Sequence, residues 1–144
     1  MTSPAPGAGA PRRQLGRSVL AVFTGFLVVV VLSLGTDEVF HLLQVYPPWN
    51  QPMPEPGLNL LALSYRLVYD TLGSYIMARL APYAPMRHVW VGAAIGFVLS
   101  SAGAAAAIRM NVGPAWYPIA LALSAWPTAW LGGHLYLRRQ AGIR

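Results

Sequence analysis

The sequence predicts an all-α membrane protein, an antiparallel bundle of four transmembrane helices with both termini in the cytoplasm. Hydrophobic residues make up 56% of the 144 residues and charged residues only 10%, with a mean hydropathy of +0.48. That composition is too apolar for a soluble domain to keep its surface hydrated. The apolar residues fall into four long stretches, and the length leaves room for four spans of about 20 residues but for no further folded domain.

The elements follow one another along the chain. Residues 1–14 are rich in proline, alanine and glycine, which predicts a disordered cytoplasmic tail, and residues 15–144 are expected to form a single four-helix transmembrane domain. Five prolines exclude helix in the first long link, so residues 46–57 are predicted to form a stiff outer loop. The predicted spans cover residues 16–45, 58–80, 88–108 and 115–137.

The positions of the ten arginines predict the orientation of the bundle. Three lie before or at the start of the first span, two at or after the end of the second, and three after the fourth, whereas only Arg109 lies near a link on the other side. Because arginine-rich links stay in the cytoplasm, both termini are predicted to be cytoplasmic. The remaining arginine, Arg66, lies inside the second span, where a charge needs a structural or functional reason.

Composition also excludes several classes of function. The net charge of +6 is spread over helix ends and forms no basic face, so nucleic-acid binding is not expected. The absence of cysteine excludes disulfide exchange, thiolate metal sites and thiol catalysis. The sequence contains no nucleophile with a plausible base, no phosphate-binding glycine loop and no zinc motif, so we expect no enzyme activity and no cofactor.

Polar residues form a stripe on each of the first two predicted helices, and such stripes should face away from lipid. Asp37 and Arg66 each lie eight residues from the outer end of their helix, so an antiparallel hairpin places both about 12 Å below the outer boundary. We therefore predict an ion pair between Asp37 and Arg66, with Asp70 one turn deeper and also within reach of Arg66. The predicted polar cluster, a candidate for binding or proton relay, consists of Asp37, Glu38, His41, Arg66, Tyr69 and Asp70.

Two interpretations of this cluster stay open. If the membrane part of the first helix ends at Gly35, the residues Asp37, Glu38 and His41 lie in an exterior amphipathic segment, since 18 residues already span about 27 Å. If the cluster lies within the bilayer, it either locks two helices together, which is the commoner use of such residues, or carries protons or ions.

The histidines suggest two further sites, one for a metal and one for a haem, but their positions in the sequence favour neither. Glu38 and His41 form one E-x-x-H motif, whereas di-iron bundles need two, and the other histidines lie about a membrane thickness away. His88 and His134 would hold a haem if they faced each other, but a position at the membrane interface beside arginines explains them more simply. We therefore expect no bound metal and no haem.

Small residues line one side of the third predicted helix at GxxxG spacing. They predict close helix packing, for which a neighbour inside the bundle is preferred to a second copy of the chain. The residues of this stripe are Gly92, Gly96, Ser100 and Gly103.

Four segments carry a resemblance: TDEVFHLL, YPPWNQPMP, SYRLVYDTLGSYIMARLAP with PMRH, and WYPIALALSAWPTAWLGG. In these segments the chain resembles a group of small, uncharacterised bacterial four-helix integral membrane proteins. The resemblance implies a location in the bacterial inner membrane, and it carries over no functional residues. Small multidrug transporters share the size and number of spans but not these motifs, so that likeness is one of architecture only.

Two functions are consistent with these observations. The first is a small membrane protein that acts by binding, as an accessory or stabilising subunit whose bundle the polar cluster fixes. The alternative is a dimeric proton- or cation-coupled transporter that uses the carboxylates. The expected partners are the lipid bilayer and either a second copy of the chain or another membrane protein. A water-filled cavity that reaches Asp70 favours transport, whereas a dry, fully paired cluster favours a structural role.

Overall fold

The computed structural model describes residues 10–143, which form four α-helices and confirm the predicted all-α, four-helix architecture. The helices are α1 (Ala10–Leu42), α2 (Pro56–Leu80), α3 (Pro85–Arg109) and α4 (Trp116–Ala141). Each helix has 25 residues or more, which exceeds the roughly 20 residues that cross a bilayer.

α1 starts earlier than the sequence predicts. It begins at Ala10, inside the segment 1–14 that was expected to be a disordered tail, while residues 1–9 lie outside the described part of the chain. α2 and α3 begin close to their predicted starts because each has a proline in its first turn, where the missing N–H costs no hydrogen bond.

α1 also ends earlier than predicted, at Leu42 rather than near Val45. Gln44 adopts a left-handed conformation with φ of 58°, which turns the chain back over the helix end. The backbone N–H groups of Val45 and Tyr46 then donate to the Phe40 carbonyl at 2.9 and 3.1 Å. This turn starts the proline-rich loop, residues 43–55, which covers one end of the bundle, called here the loop end.

The four helices do not form an even ring. Consecutive helices run antiparallel, so that in α1 and α2 Gly25 lies beside Met77 and Asp37 beside Arg66. α2 packs against α1 and α4, and α3 packs mainly against α4. Within the described residues α1 touches α3 only weakly and α4 not at all. α1 is thus attached chiefly through α2, and an open seam runs between α1 and α3.

Small residues lie where the helices meet. Gly25 and Gly73 face each other so closely that a Cβ on either would come within 2.8 Å of the other's carbonyl oxygen. Gly132 lies directly against the backbone of Thr71 on α2. Several alanines are also buried at helix contacts: Ala21, Ala62, Ala78, Ala93, Ala104, Ala122 and Ala129. Such small residues permit the close backbone approach on which helix association in membranes depends.

Large apolar side chains lie outside, which reverses the arrangement of a soluble protein. They cover the outward faces of all four helices, for example Phe23, Val31, Val68, Leu72, Val98, Leu99, Leu123 and Leu135. In the described part of the chain, α1 over Gln14–Leu42 and α3 over Pro85–Arg109 are long and apolar enough to cross a membrane. α2, which contains Arg66 and Asp70, and α4 are less apolar, so composition alone supports two of the four predicted spans.

The small residues of α3 divide into two groups. A Cβ on Gly92 would lie 2.5 Å from the Met77 sulfur of α2, and one on Gly96 would lie 3.4 Å from the Phe26 ring of α1. Ser100 lines a cleft inside the bundle. Gly103, in contrast, has no described atom within 4 Å of a Cβ position. Gly92 and Gly96 therefore pack within the bundle, while Gly103 faces open space.

The glycine contact between α2 and α4 should be required for stability. In Gly132→Ala the new methyl group meets the Thr71 carbonyl and, at 2.7 Å, the Ser74 Cβ, so the helices must separate. We expect the free energy of unfolding in detergent to fall by about 1–3 kcal/mol. Gly103→Ala is the matched control, because it adds the same methyl group in open space and should be neutral or slightly stabilising. Equal effects of both variants on the unfolding midpoint would contradict the packing described above.

Candidate functional site beneath the proline-rich loop

The predicted ion pair is present near the loop end of the bundle. Arg66 on α2 donates from Nη2 to the Asp37 carboxylate on α1, and the two side chains are 25% and 8% exposed. It is the one salt bridge among the described residues. Their contact shows that the two residues lie at the same level of the helix pair, while their depth in a membrane stays a prediction.

Two tyrosines that the sequence analysis did not include complete this pair. Tyr65 donates its hydroxyl proton to the other Asp37 oxygen, Oδ1. The Tyr65 hydroxyl has only this one proton. In its second hydrogen bond, of 3.2 Å, its oxygen therefore accepts from the Tyr46 hydroxyl. Burial raises the pKa of Tyr46, which keeps this hydroxyl neutral and able to donate. A signal for Tyr65 was present, since it precedes Arg66 directly and lies one turn before Tyr69 on the same helix face.

The remaining members of the predicted cluster are spread around the ion pair. Tyr69 shares a 2.8 Å hydrogen bond with the hydroxyl of Thr36, which adds a second polar link between α1 and α2. Glu38 is exposed and accepts a hydrogen bond from the Trp49 indole at 3.1 Å. The His41 ring lies 4.0 Å from the Trp49 ring, and its buried Nδ1 has no hydrogen-bond partner among the described residues.

The loop above the cluster is fastened at its far end. The buried Asn59 amide donates to the carbonyls of Met53 and Glu55, each at 2.8 Å. Met53 in turn donates its N–H to the Val112 carbonyl, in the turn between α3 and α4, at 2.8 Å. Hydrogen bonds thus join the proline-rich loop to the first turn of α2 and to the turn between α3 and α4.

Two cavities meet at Arg66. A pocket of about 190 Å³ lies beneath the loop, and its lining includes Asp37, His41 and Trp49 as well as Arg66. A larger cleft of about 390 Å³ lies between the helices on the other side of Arg66 and is lined mainly by apolar residues from all four. The exposed side chains at its rim, Val30, Leu34 and Leu99, show that it opens along the seam between α1 and α3.

Asp70 does not join the ion pair, which corrects the expectation that it reaches Arg66. It lines the cleft, and in the described part of the chain it forms neither an ion pair nor a hydrogen bond with Arg66. The guanidinium instead extends across to Asp37 on α1. The arrangement consists of a neutralised pair and, one turn away, a carboxylate that a molecule in the cleft can reach.

The histidines at the other end of the bundle contact different helices. His88 shares a 2.8 Å hydrogen bond with the Ser18 hydroxyl of α1, whereas His134 is hydrogen-bonded to the Trp130 carbonyl on its own helix at 3.1 Å. No group of three histidine, aspartate or glutamate side chains suited to a metal ion occurs within residues 14–143.

Breaking the ion pair should destabilise the protein more than removing a neighbouring charge. Asp37→Asn removes the carboxylate that is bonded to the largely buried Arg66, and we expect the free energy of unfolding to fall by about 3 kcal/mol. Glu38→Gln is the control, because Glu38 is exposed and its loss should cost less than about 1 kcal/mol. Chemical unfolding in detergent measures both values. If Asp37→Asn costs no more than Glu38→Gln, the pair does not hold α1 to α2.

Comparisons with known protein families, curated proteins and solved structures found no match to this chain. The resemblance to small bacterial four-helix membrane proteins therefore stays a prediction.

Proposed function

We propose that the chain is an integral membrane protein whose four helices all cross the bilayer, and that it binds a membrane-embedded partner through the cleft that contains Asp70. The first support is the packing of the two less apolar helices. α2 and α4 have 25 and 26 residues, pack side by side, and lie against α1 and α3, which are apolar enough to cross a membrane. This packing supports a membrane that contains α2 and α4 as well as α1 and α3.

The outward faces of α2 and α4 support the same arrangement. Val68 on α2 and Leu123 on α4 are 63% and 58% exposed, as expected for side chains in contact with lipid. Five exposed arginines lie at the helix ends away from the loop, and they favour that end in the cytoplasm. These are Arg17, Arg79, Arg87, Arg138 and Arg139. With the resemblance noted above, this orientation favours a bacterial inner membrane with both termini inside.

The observation that carries the binding proposal is the position of Asp70. A carboxylate at membrane depth is costly unless it is paired or hydrated, and Arg66 is already engaged by Asp37. The cleft around Asp70 is mainly apolar and open at the side, so it suits a transmembrane segment better than a soluble ligand. The partner is expected to present a cation or a hydrogen-bond donor to Asp70. The chain then serves as a small accessory subunit of a membrane assembly.

One observation favours a second candidate, a proton- or cation-coupled transporter. Arg66 lines both the pocket beneath the loop and the cleft, so its ion pair with Asp37 lies between the two cavities. A cation that entered from the loop end would reach Asp70 if Arg66 moved aside.

The proposed topology can be tested with single cysteines, because the chain has none of its own. We expect a membrane-impermeant maleimide to label Asn50→Cys and Asn111→Cys from outside intact cells, and to label Ala84→Cys and Gln140→Cys only after lysis. All four residues are exposed in turns or at a helix end. Labelling of Ala84→Cys from outside would show that α2 does not cross the membrane.

Binding at the cleft and transport predict different results for Asp70→Asn. A photo-crosslinking residue at Leu99, on the rim of the cleft, should form an adduct in membranes that is lost in Asp70→Asn, while the same residue at the outward-facing Leu123 should form none. The mass of the adduct separates a second copy of the chain from another protein. An unchanged adduct in Asp70→Asn contradicts the binding proposal.

Cation-driven proton flux in liposomes that contain only this protein, abolished by Asp70→Asn, would instead establish the transporter.

A further inference from the structure

A groove lies between α1 and α3 at the end of the bundle away from the loop, apart from the site at Arg66. Its volume is about 460 Å³, and Phe26 forms the wall between it and the cleft. Most of its length is apolar, with side chains that reach the surface of the bundle. The apolar lining consists of Val19, Val22, Phe23, Phe26, Val91 and Ile95.

One end of the groove is polar. His88 and Ser18 share a hydrogen bond of 2.8 Å that joins α3 to α1, and the Tyr83 ring packs edge-on against His88 at 5.0 Å. Arg87 is exposed at this end and lines the groove. The groove therefore has the polarity of an amphiphile, with an apolar channel that leads to a charged mouth.

The length of the groove matches one leaflet of a bilayer. On α1 its lining runs from Ser18 to Phe26, and on α3 from Arg87 to Ile95. Each stretch rises by about 12 Å. The hydrocarbon of one leaflet is about 15 Å thick, so a lipid chain lying along the groove would have its headgroup beside Arg87.

The charges around the mouth select an anionic headgroup. All four acidic residues of the chain lie elsewhere: Asp37, Glu38, Glu55 and Asp70. Arg87 forms no ion pair within the described residues, and Arg17 precedes the groove residue Ser18. A guanidinium with no carboxylate nearby is suited to bind the oxygens of a phosphate.

We infer that this groove binds an anionic phospholipid of the cytoplasmic leaflet, with one acyl chain between α1 and α3 and its phosphate against Arg87. The inference rests on the four-span arrangement proposed above, but it is independent of any partner at Asp70. The lipid covers the part of the seam where α1 and α3 do not meet, and so holds α1 against the bundle on the side opposite the Arg66 ion pair.

The test is a lipid titration of the purified full chain in detergent, followed by native mass spectrometry. Dioleoyl phosphatidylglycerol should bind more tightly than dioleoyl phosphatidylcholine, and Arg87→Gln should weaken its binding about tenfold and remove the preference. Arg79→Gln, which removes an equally exposed arginine at the same end but outside the groove, should leave binding unchanged. Val91→Trp, which fills the exposed apolar channel, should weaken the binding of both lipids.

Three outcomes would overturn the inference. If Arg79→Gln weakens the binding of phosphatidylglycerol as much as Arg87→Gln does, the lipid is attracted by the general positive charge of this surface. If glycerol 3-phosphate displaces phosphatidylglycerol at an equal concentration, the site binds free phosphate and the apolar channel contributes nothing to affinity. If Val91→Trp, with unchanged helix content by circular dichroism, binds both lipids normally, the acyl chain lies elsewhere. Because micelles replace the bilayer, none of these outcomes depends on the membrane topology or on Asp70.

Discussion

The ion pair between Arg66 and Asp37 fixes the position of α1 against the rest of the molecule. α1 has one main neighbour, α2, so its depth and rotation are set mainly along that contact. A slide by one residue would move Asp37 about 1.5 Å along the helix and about 100° around it, which would take the carboxylate away from both Arg66 and Tyr65. Because both side chains are largely buried between the helices, that loss disfavours the alternative registers.

Glycine contacts set the distances between neighbouring helices, which the ion pair does not determine. Gly25 against Gly73 brings α1 and α2 together below the charges, and Gly132 against Thr71 does the same for α2 and α4. α2 lies between two close partners and is the centre of the bundle, while α3 is held mainly through α4. The seam between α1 and α3 follows from this arrangement, since each of these helices packs mainly against a different neighbour. Both the cleft and the groove lie along it.

The sequence was sufficient to predict the four helices and the ion pair, because both depend on local patterns and on the geometry of one hairpin. The end of α1 was not predictable, since it depends on the left-handed turn at Gln44 that buries Tyr46. Tyr65 was missed because a tyrosine beside a charged residue can face lipid as well as a carboxylate. The pairing of α2 with α4 was also hidden, since a stripe of small residues does not identify its neighbour.

The contrast between Asp37 and Asp70 explains where binding should occur. Both carboxylates are close to Arg66 along the chain or across the hairpin, yet only Asp37 accepts from the guanidinium on one oxygen and from a tyrosine on the other. Asp70 forms no such hydrogen bond in the described part of the chain, although the hydroxyls of Ser33 and Ser74 line the same cleft. Under the proposed function, Asp70 is the group that the partner pairs with. That partner would approach through the seam, where α1 and α3 leave the cleft open.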